Sequence, residues 1–361
     1  MEITSQKLVS LADKRFSEVL TDGFKLFLKS YGTLILPLAF FQIVLIILDI
    51  FILTDIRWQI DSLGLAITEI MEKLTDTIPL TESEWSTLSY FLFMSTALIF
   101  LQNLIGAIII TIAMCSVSNY AFNKYMNNDV NFIESFKSAF NKRMFLVVLI
   151  IGVCLPLSAL LLVVPAILIF GFFIFLIFTY NMEGNKSPIF EARAIAKGSF
   201  WKIIGVFIFN VTIIFVISYF INVLFNLILN LDSANFIVNF SSWYNPMTRN
   251  YGMIILYQLL INLADIFLAP LFICLLTVLF SSSKARKELG YRIQKTYYPV
   301  RELYQESYPQ QQTSYEIAGN KPTPKIQIKE KFYCPFCGLF IQKVEKNFCP
   351  KCGESLSFIR M

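Results

Sequence analysis

One apolar run in this chain is too long to be a single membrane helix. Phe145–Tyr180 passes through 36 residues without a charge. As one helix it would measure roughly 54 Å at about 1.5 Å per residue, against a hydrocarbon core of about 30 Å. Pro165 supplies a break, because proline pushes the residue before it out of helical geometry. The run therefore reads as two short helices joined by a tight turn near Val163–Pro165. Four more runs are long enough to cross once: Thr33–Leu53, Phe91–Met114, Ile203–Asn230 and Tyr251–Phe280. The expectation is six transmembrane helices in three hairpins.

The placement of charge tests that count. Of the 30 Lys and Arg, none lies inside a run. Only Arg57, Lys73 and Arg249 fall in the loops that the six-helix reading puts outside; the other 27 fall on the opposite side. Positive charge collects on the cytoplasmic face of membrane proteins, so both termini are expected there, at the cell membrane. A single crossing by 145–180 would move the basic stretch Lys186–Lys202 outside and break the pattern. The first 30 residues carry charges throughout and have no apolar core, so they do not read as a signal peptide.

Composition agrees with a polytopic chain. Hydrophobic residues make up 56% and charged residues 15%, where a soluble domain carries roughly 25% charged. Histidine is absent. That removes imidazole general acid–base chemistry, Ser-His triads, His-ligated metal sites and a zinc metalloprotease. The outside loop 54–90 holds seven carboxylates against two bases, with an amphipathic helix expected around Ile60–Leu74. It reads as a solvated cap, the alternative being a lid over an external ligand.

Each expected hairpin is preceded by a charged amphipathic segment. In each, an aromatic and a Glu come first and a basic residue marks the membrane entry: Phe16 and Glu18 before Lys29, Phe132 and Glu134 before Lys142, Phe190 and Glu191 before Lys202. Such segments suit short interfacial elbow helices, with apolar faces in lipid and bases toward headgroups. Generic interface composition would look similar.

Two of these segments also carry a family likeness. Phe16-Ser-Glu-Val-Leu-Thr-Asp-Gly-Phe-Lys-Leu-Phe-Leu-Lys-Ser-Tyr-Gly32 and Pro188-Ile-Phe-Glu-Ala-Arg-Ala-Ile-Ala-Lys-Gly-Ser-Phe-Trp-Lys202 resemble the prokaryotic membrane domain found fused to glycerophosphodiester phosphodiesterases, and its stand-alone relatives. The resemblance spans about residues 10–282. It implies a six-helix integral membrane protein without catalytic residues in the membrane part. The phosphodiesterase barrel of the fused members has no counterpart in this sequence, so no enzymatic activity is expected.

Residues 283–328 change character. Lys284-Ala-Arg-Lys287 is a juxtamembrane basic cluster suited to anionic headgroups. Tyr, Gln and Pro dominate beyond it, as in a flexible tether between a membrane domain, 1–282, and a small terminal module, 329–361. That module holds Cys334-Pro-Phe-Cys337-Gly and Cys349-Pro-Lys-Cys352-Gly. Two sulfurs on each tight turn, with turn amides to stabilise thiolate charge, make a closed four-thiolate site. Pro335 and Pro350 stiffen the turns, and Gly338 and Gly353 permit left-handed exits. The pattern resembles a short zinc ribbon. So small a module cannot hold a fold without its metal. Zinc is the expected cofactor; iron in a rubredoxin-like arrangement would use the same ligands. A free thiolate site needs a reducing compartment, which again places the tail in the cytoplasm. Protein docking is the expected role of a tethered ribbon, with nucleic-acid binding the weaker reading of its six bases against three acids.

Inside the runs, Asp265 is the most costly residue, since a carboxylate in hydrocarbon must be protonated or face polar partners. Gln42, Gln102 and Asn103 fall at similar depth and are its candidate partners, either as packing hydrogen bonds or as a proton or ion pathway. Asp49 and Asp265 differ in depth by about 15 Å at about 1.5 Å per residue, too far for an aspartyl protease dyad. The leading expectation is a non-enzymatic membrane scaffold or adaptor presenting a zinc ribbon to a cytoplasmic protein. The alternative is a transporter or lipid-handling protein built around Asp265.

Overall fold

A computed structural model of the chain describes residues 5–182, 187–229, 242–297, 332–333 and 340–341. Its described residues are helical apart from turns, bends and one two-residue strand pair. The helices are α1 (Ser5–Ala12), α2 (Phe16–Ser62), α3 (Gly64–Thr75), α4 (Glu82–Tyr125), α5 (Phe132–Ala139), α6 (Lys142–Leu161), α7 (Val163–Thr179), α8 (Pro188–Lys197), α9 (Phe200–Leu229), α10 (Tyr251–Ile261) and α11 (Leu263–Tyr297). Five of them, α2, α4, α6, α9 and α11, are long and apolar enough to cross a membrane, with α7 and α10 shorter apolar helices. This is the fold of a multi-pass membrane protein.

The chain forms two compact units, Phe16–Phe280 and a second made of Met1–Arg15 with Ser281–Met361. In the larger unit α11 is the hub. Of its most apolar window 61% is buried, against 17–22% for the other four long helices. Midway along it Phe280 is fully buried, stacked on Phe178 with centroids 4.6 Å apart and met edge-on by Phe175 and Phe122 at 5.4 and 5.6 Å. Gly23 lets α2 approach α11 closely, since a Cβ there would lie 2.5 Å from Leu275 Cδ2.

Contacts define two ends of this unit. Lys29 donates to Asn127 (3.4 Å), Asn141 to Asn181 (3.0 Å) and the Tyr180 hydroxyl to the Ala139 carbonyl (3.1 Å), at a basic end with Lys124, Lys142 and Arg143. At the other, acidic end Tyr90 donates to Gln59 (2.8 Å) and Lys73 pairs with Glu84. Glu84 also completes a capping box with Thr81 at the start of α4, satisfying free helix donors. The Lys73 hydrogen bond, with the Thr81 amide and hydroxyl, holds the Glu84 carboxyl well below its usual range, to about 2.

The Asn141–Asn181 bond means that α6 and α7 leave from and return to the same end. The expected break in 145–180 is therefore present, slightly earlier than Pro165 suggested. Leu162 alone is extended (φ −157°, ψ 136°), and Pro165 sits in the first turn of α7, where its missing amide costs nothing. Within α6, residues Val148–Cys154 form a π turn immediately before Pro156. A widened turn there accommodates a proline that cannot donate to residue 152.

Two expectations need correction. Only two of the three elbows are separate helices. Asn131 caps α5 through the Ile133 amide, and Asn141 restarts the chain through the Arg143 and Met144 amides. Pro188 opens α8 and Gly198 closes it. The first segment has no such punctuation, and α2 runs through it unbroken from Phe16 to Ser62. Gly23, its one candidate breaker before Gly32, serves close packing instead. The threefold elbow repeat is thus not a feature of the fold. The run Tyr251–Phe280 is also two helices, because Asn262 interrupts it. Its side chain donates to the Gln258 carbonyl at 2.7 Å, competing with the helical amide bonds.

In the smaller unit, Arg286 donates to the carbonyls of Ala12 (2.6 Å) and Lys14 (3.0 Å), a cation at the C-terminus of α1. Strands β1 (Phe332–Tyr333) and β2 (Phe340–Ile341) pair antiparallel, Phe332 opposite Ile341 and Tyr333 opposite Phe340.

Candidate functional site

The four expected metal ligands, Cys334, Cys337, Cys349 and Cys352, lie outside the described residues, as does most of the tether 283–328 beyond Tyr297. The strand pair brackets the first Cys pair in sequence: six residues, 334–339, separate Tyr333 from its partner Phe340. Among the described residues no three metal-ligating side chains converge. The remaining cysteines are unpaired; Cys115 and Cys274 are buried as small packed side chains, while Cys154 is exposed on α6.

Among the described residues no hydrogen bond links Asp265 to Gln42, Gln102 or Asn103. Asp265 lies in the first turn of α11, three residues past the Asn262 break, half-buried and without a hydrogen bond. Gln42 is half-buried on α2. Gln102 and Asn103 are exposed on α4, and Asn103 donates to the Ile99 carbonyl of its own helix (2.8 Å). The grouping of Asp265 with Gln102 and Asn103 therefore has no hydrogen-bonded counterpart in the structure. Similar depth along three helices says nothing about which way each side chain faces.

A different polar cluster stands toward the acidic end. Arg57 reaches back along α2 to pair with Asp49, both largely buried at 17% and 13% side-chain exposure. Arg249, in the loop before α10, pairs with Asp55 of α2. Its guanidinium also donates to the Tyr251 hydroxyl (3.2 Å) and the Tyr244 carbonyl (3.3 Å). Tyr244 is buried against Ile46, Ile50 and Ile254, flanked by Trp58 and Trp243, and its hydroxyl accepts from Gln258 (3.4 Å). Gln258 in turn accepts from Asn262 at the helix break. A hydrogen-bonded ladder thus leads from the Arg249–Asp55 pair to the turn that carries Asp265.

Sequence reasoning missed this ladder. Asp49 and Arg57 are eight residues apart, outside the usual i, i+4 spacing of helix pairs. Asp55 and Arg249 are separated by 194 residues. The only sequence signal was that two of the three bases on that side, Arg57 and Arg249, stand beside tryptophan- and tyrosine-bearing segments. Chemically the ladder can lock α2 to the loop before α10 and can order a proton or water path. It contains no nucleophile–base pair.

No family model, characterised protein or solved structure matches this chain.

Proposed function

We propose that this protein is a non-enzymatic membrane scaffold whose cytoplasmic zinc ribbon docks a protein partner. The observation that carries the reading is the pair of Cys-Pro-x-Cys-Gly knuckles, the first bracketed by a β pair whose strands hold Phe332 and Phe340, two of the few apolar residues available for a ribbon core. One zinc held by Cys334, Cys337, Cys349 and Cys352 would supply the folding energy that so short a module lacks. Residues 1–282 are the proposed membrane domain, which over about 10–282 resembles the kind fused to glycerophosphodiester phosphodiesterases. Both termini are cytoplasmic in this reading, with six membrane helices in three hairpins, and so an even number of crossings, in the cell membrane. Support comes from the basic end of the bundle, which holds the start of α2, the Asn141–Asn181 junction and Phe280.

A second reading is favoured by the Asn262 break. Discontinuous helices often build solute sites at mid-membrane, and Asp265 stands in the first turn after the break. One experiment separates the two. A photo-crosslinking residue at Lys343 should trap a cytoplasmic protein in intact cells. Cys334→Ser with Cys349→Ser should abolish the trap, and Asp265→Asn should leave it unchanged. A trap indifferent to the cysteines, with cellular function lost only in Asp265→Asn, would favour the transporter.

A further inference from the structure

The hairpin α6–α7 is shorter than the helices it packs on. Two contacts register it on α4, which runs antiparallel to α6. The Tyr180 hydroxyl donates to the Cys115 carbonyl at 3.2 Å. Gly152 meets Ile108 so closely that a Cβ there would lie 3.1 Å from the Ile108 Cα. From Gly152, α6 continues nine residues to Leu161, which brings its tip level with Ile99 on α4. The Tyr90–Gln59 bond registers α2 on α4 and puts the same level near Ile50.

The apolar stretches of α2 and α4 continue past that level, to Leu53 and Phe91. The tip therefore falls about 5–12 Å short of them at about 1.5 Å per residue. Measured from Cys115, the hairpin rises about 24 Å into a core of about 30 Å.

The turn itself is built for an apolar setting. Leu160, Leu161, Leu162, Val163 and Val164 are 50–78% exposed, and no polar side chain lies among them. At this end the last turn of α2 carries Asp61, the turn after α3 carries Asp76 and the loop before α10 carries Arg249. A single residue leaves helical geometry, its amide donates to the Ser158 carbonyl at 2.8 Å, and Pro165 removes one more donor. Backbone groups exposed to lipid are costly, and those this turn still leaves without a helical partner, the carbonyls of Ala159–Leu161 and the amides of Val163 and Val164, favour a tip near the polar edge of the leaflet over one at its centre.

We propose that the α6–α7 hairpin ends inside the leaflet at the acidic end of the bundle, seating Leu160–Val164 among lipid acyl chains instead of presenting a turn to water. This rests on the membrane placement above and deepens it: the hairpin is inserted without emerging. A shortfall of this size thins the leaflet around the tip or draws the tip toward the glycerol region.

Single cysteines at Ser62, Val163 and Ser187 of the full-length protein in intact cells test it, using a membrane-impermeant maleimide. Ser62→Cys should label. Val163→Cys should label at least about tenfold more slowly, even after permeabilisation, because a thiol in hydrocarbon does not ionise. A fluorophore at the same position, in phosphatidylcholine–phosphatidylglycerol vesicles, should be quenched by acyl-chain nitroxide lipids more than by aqueous iodide. Leu161→Cys provides the same readings should Val163→Cys not accumulate. Labelling of Val163→Cys at the Ser62→Cys rate would overturn the proposal, as would protection from both maleimide and nitroxide, which would mean a second copy covers the tip. External labelling of Ser187→Cys is a separate result, and would overturn the even-crossing topology itself.

Discussion

Replacing Phe280 with alanine should destabilise the bundle by about 3 kcal/mol. Phe280 is fully buried, and three aromatic rings close on it. In water-soluble cores Phe→Ala costs about 3–5 kcal/mol from lost transfer energy plus the cavity left behind. In a membrane bundle the transfer part is smaller, because lipid is as apolar as the core, so packing and cavity terms dominate. The cavity cannot close easily here, since Phe175 and Phe178 are held by α7 and Phe122 by α4. Denaturation of detergent-solubilised protein should show the loss, and Phe280→Leu should recover more than half of it. Equal stability of Phe280→Ala and wild type would remove α11 from the centre of the fold.

Arg57→Met should cost a similar amount, about 3–5 kcal/mol, by leaving the Asp49 carboxylate buried without its partner. The pair is not fully satisfied even in the native protein. Asp49 Oδ1 and Arg57 Nη1 are buried and make no other hydrogen bond. A buried pair with orphaned atoms contributes little net stability, so removing both charges should be nearly neutral. The double variant Asp49→Leu, Arg57→Met should therefore unfold within about 1 kcal/mol of wild type, whereas each single change is costly. If the double variant costs the sum of the two single changes, the pair is not coupled and the acidic end is held by Arg249–Asp55 instead.

These two sites show where sequence was informative and where it was not. Apolar length was enough to find a multi-pass set of helices, and with Pro165 the return of the chain between Asn141 and Asn181. Those are one-dimensional properties. Pro165 located a turn to within three residues, because proline acts on its immediate neighbours. Facing and register are different: depth along the sequence grouped Gln102 and Asn103 with Asp265, but both are exposed on α4, and only tertiary packing decides that. The Asn262 break was hidden because an asparagine within an apolar run is as compatible with a packed helix as with a carbonyl-capturing turn. The first elbow was overread for the opposite reason. Its composition matched the other two, but it lacked the Asn and Pro signals that interrupt the backbone at 131, 141 and 188.

The proposed scaffold depends on the four cysteines of the tail, and the metal content of full-length protein tests it most directly. Protein purified under reducing conditions, without added metal, should contain one zinc per chain. Cobalt exchanged into the site should give the intense visible bands of tetrahedral thiolate coordination. Cys349→Ser should lose the metal. A chain that carries no metal, or that shows a Cys334–Cys337 disulfide in place of thiolates, would contradict the zinc-ribbon scaffold.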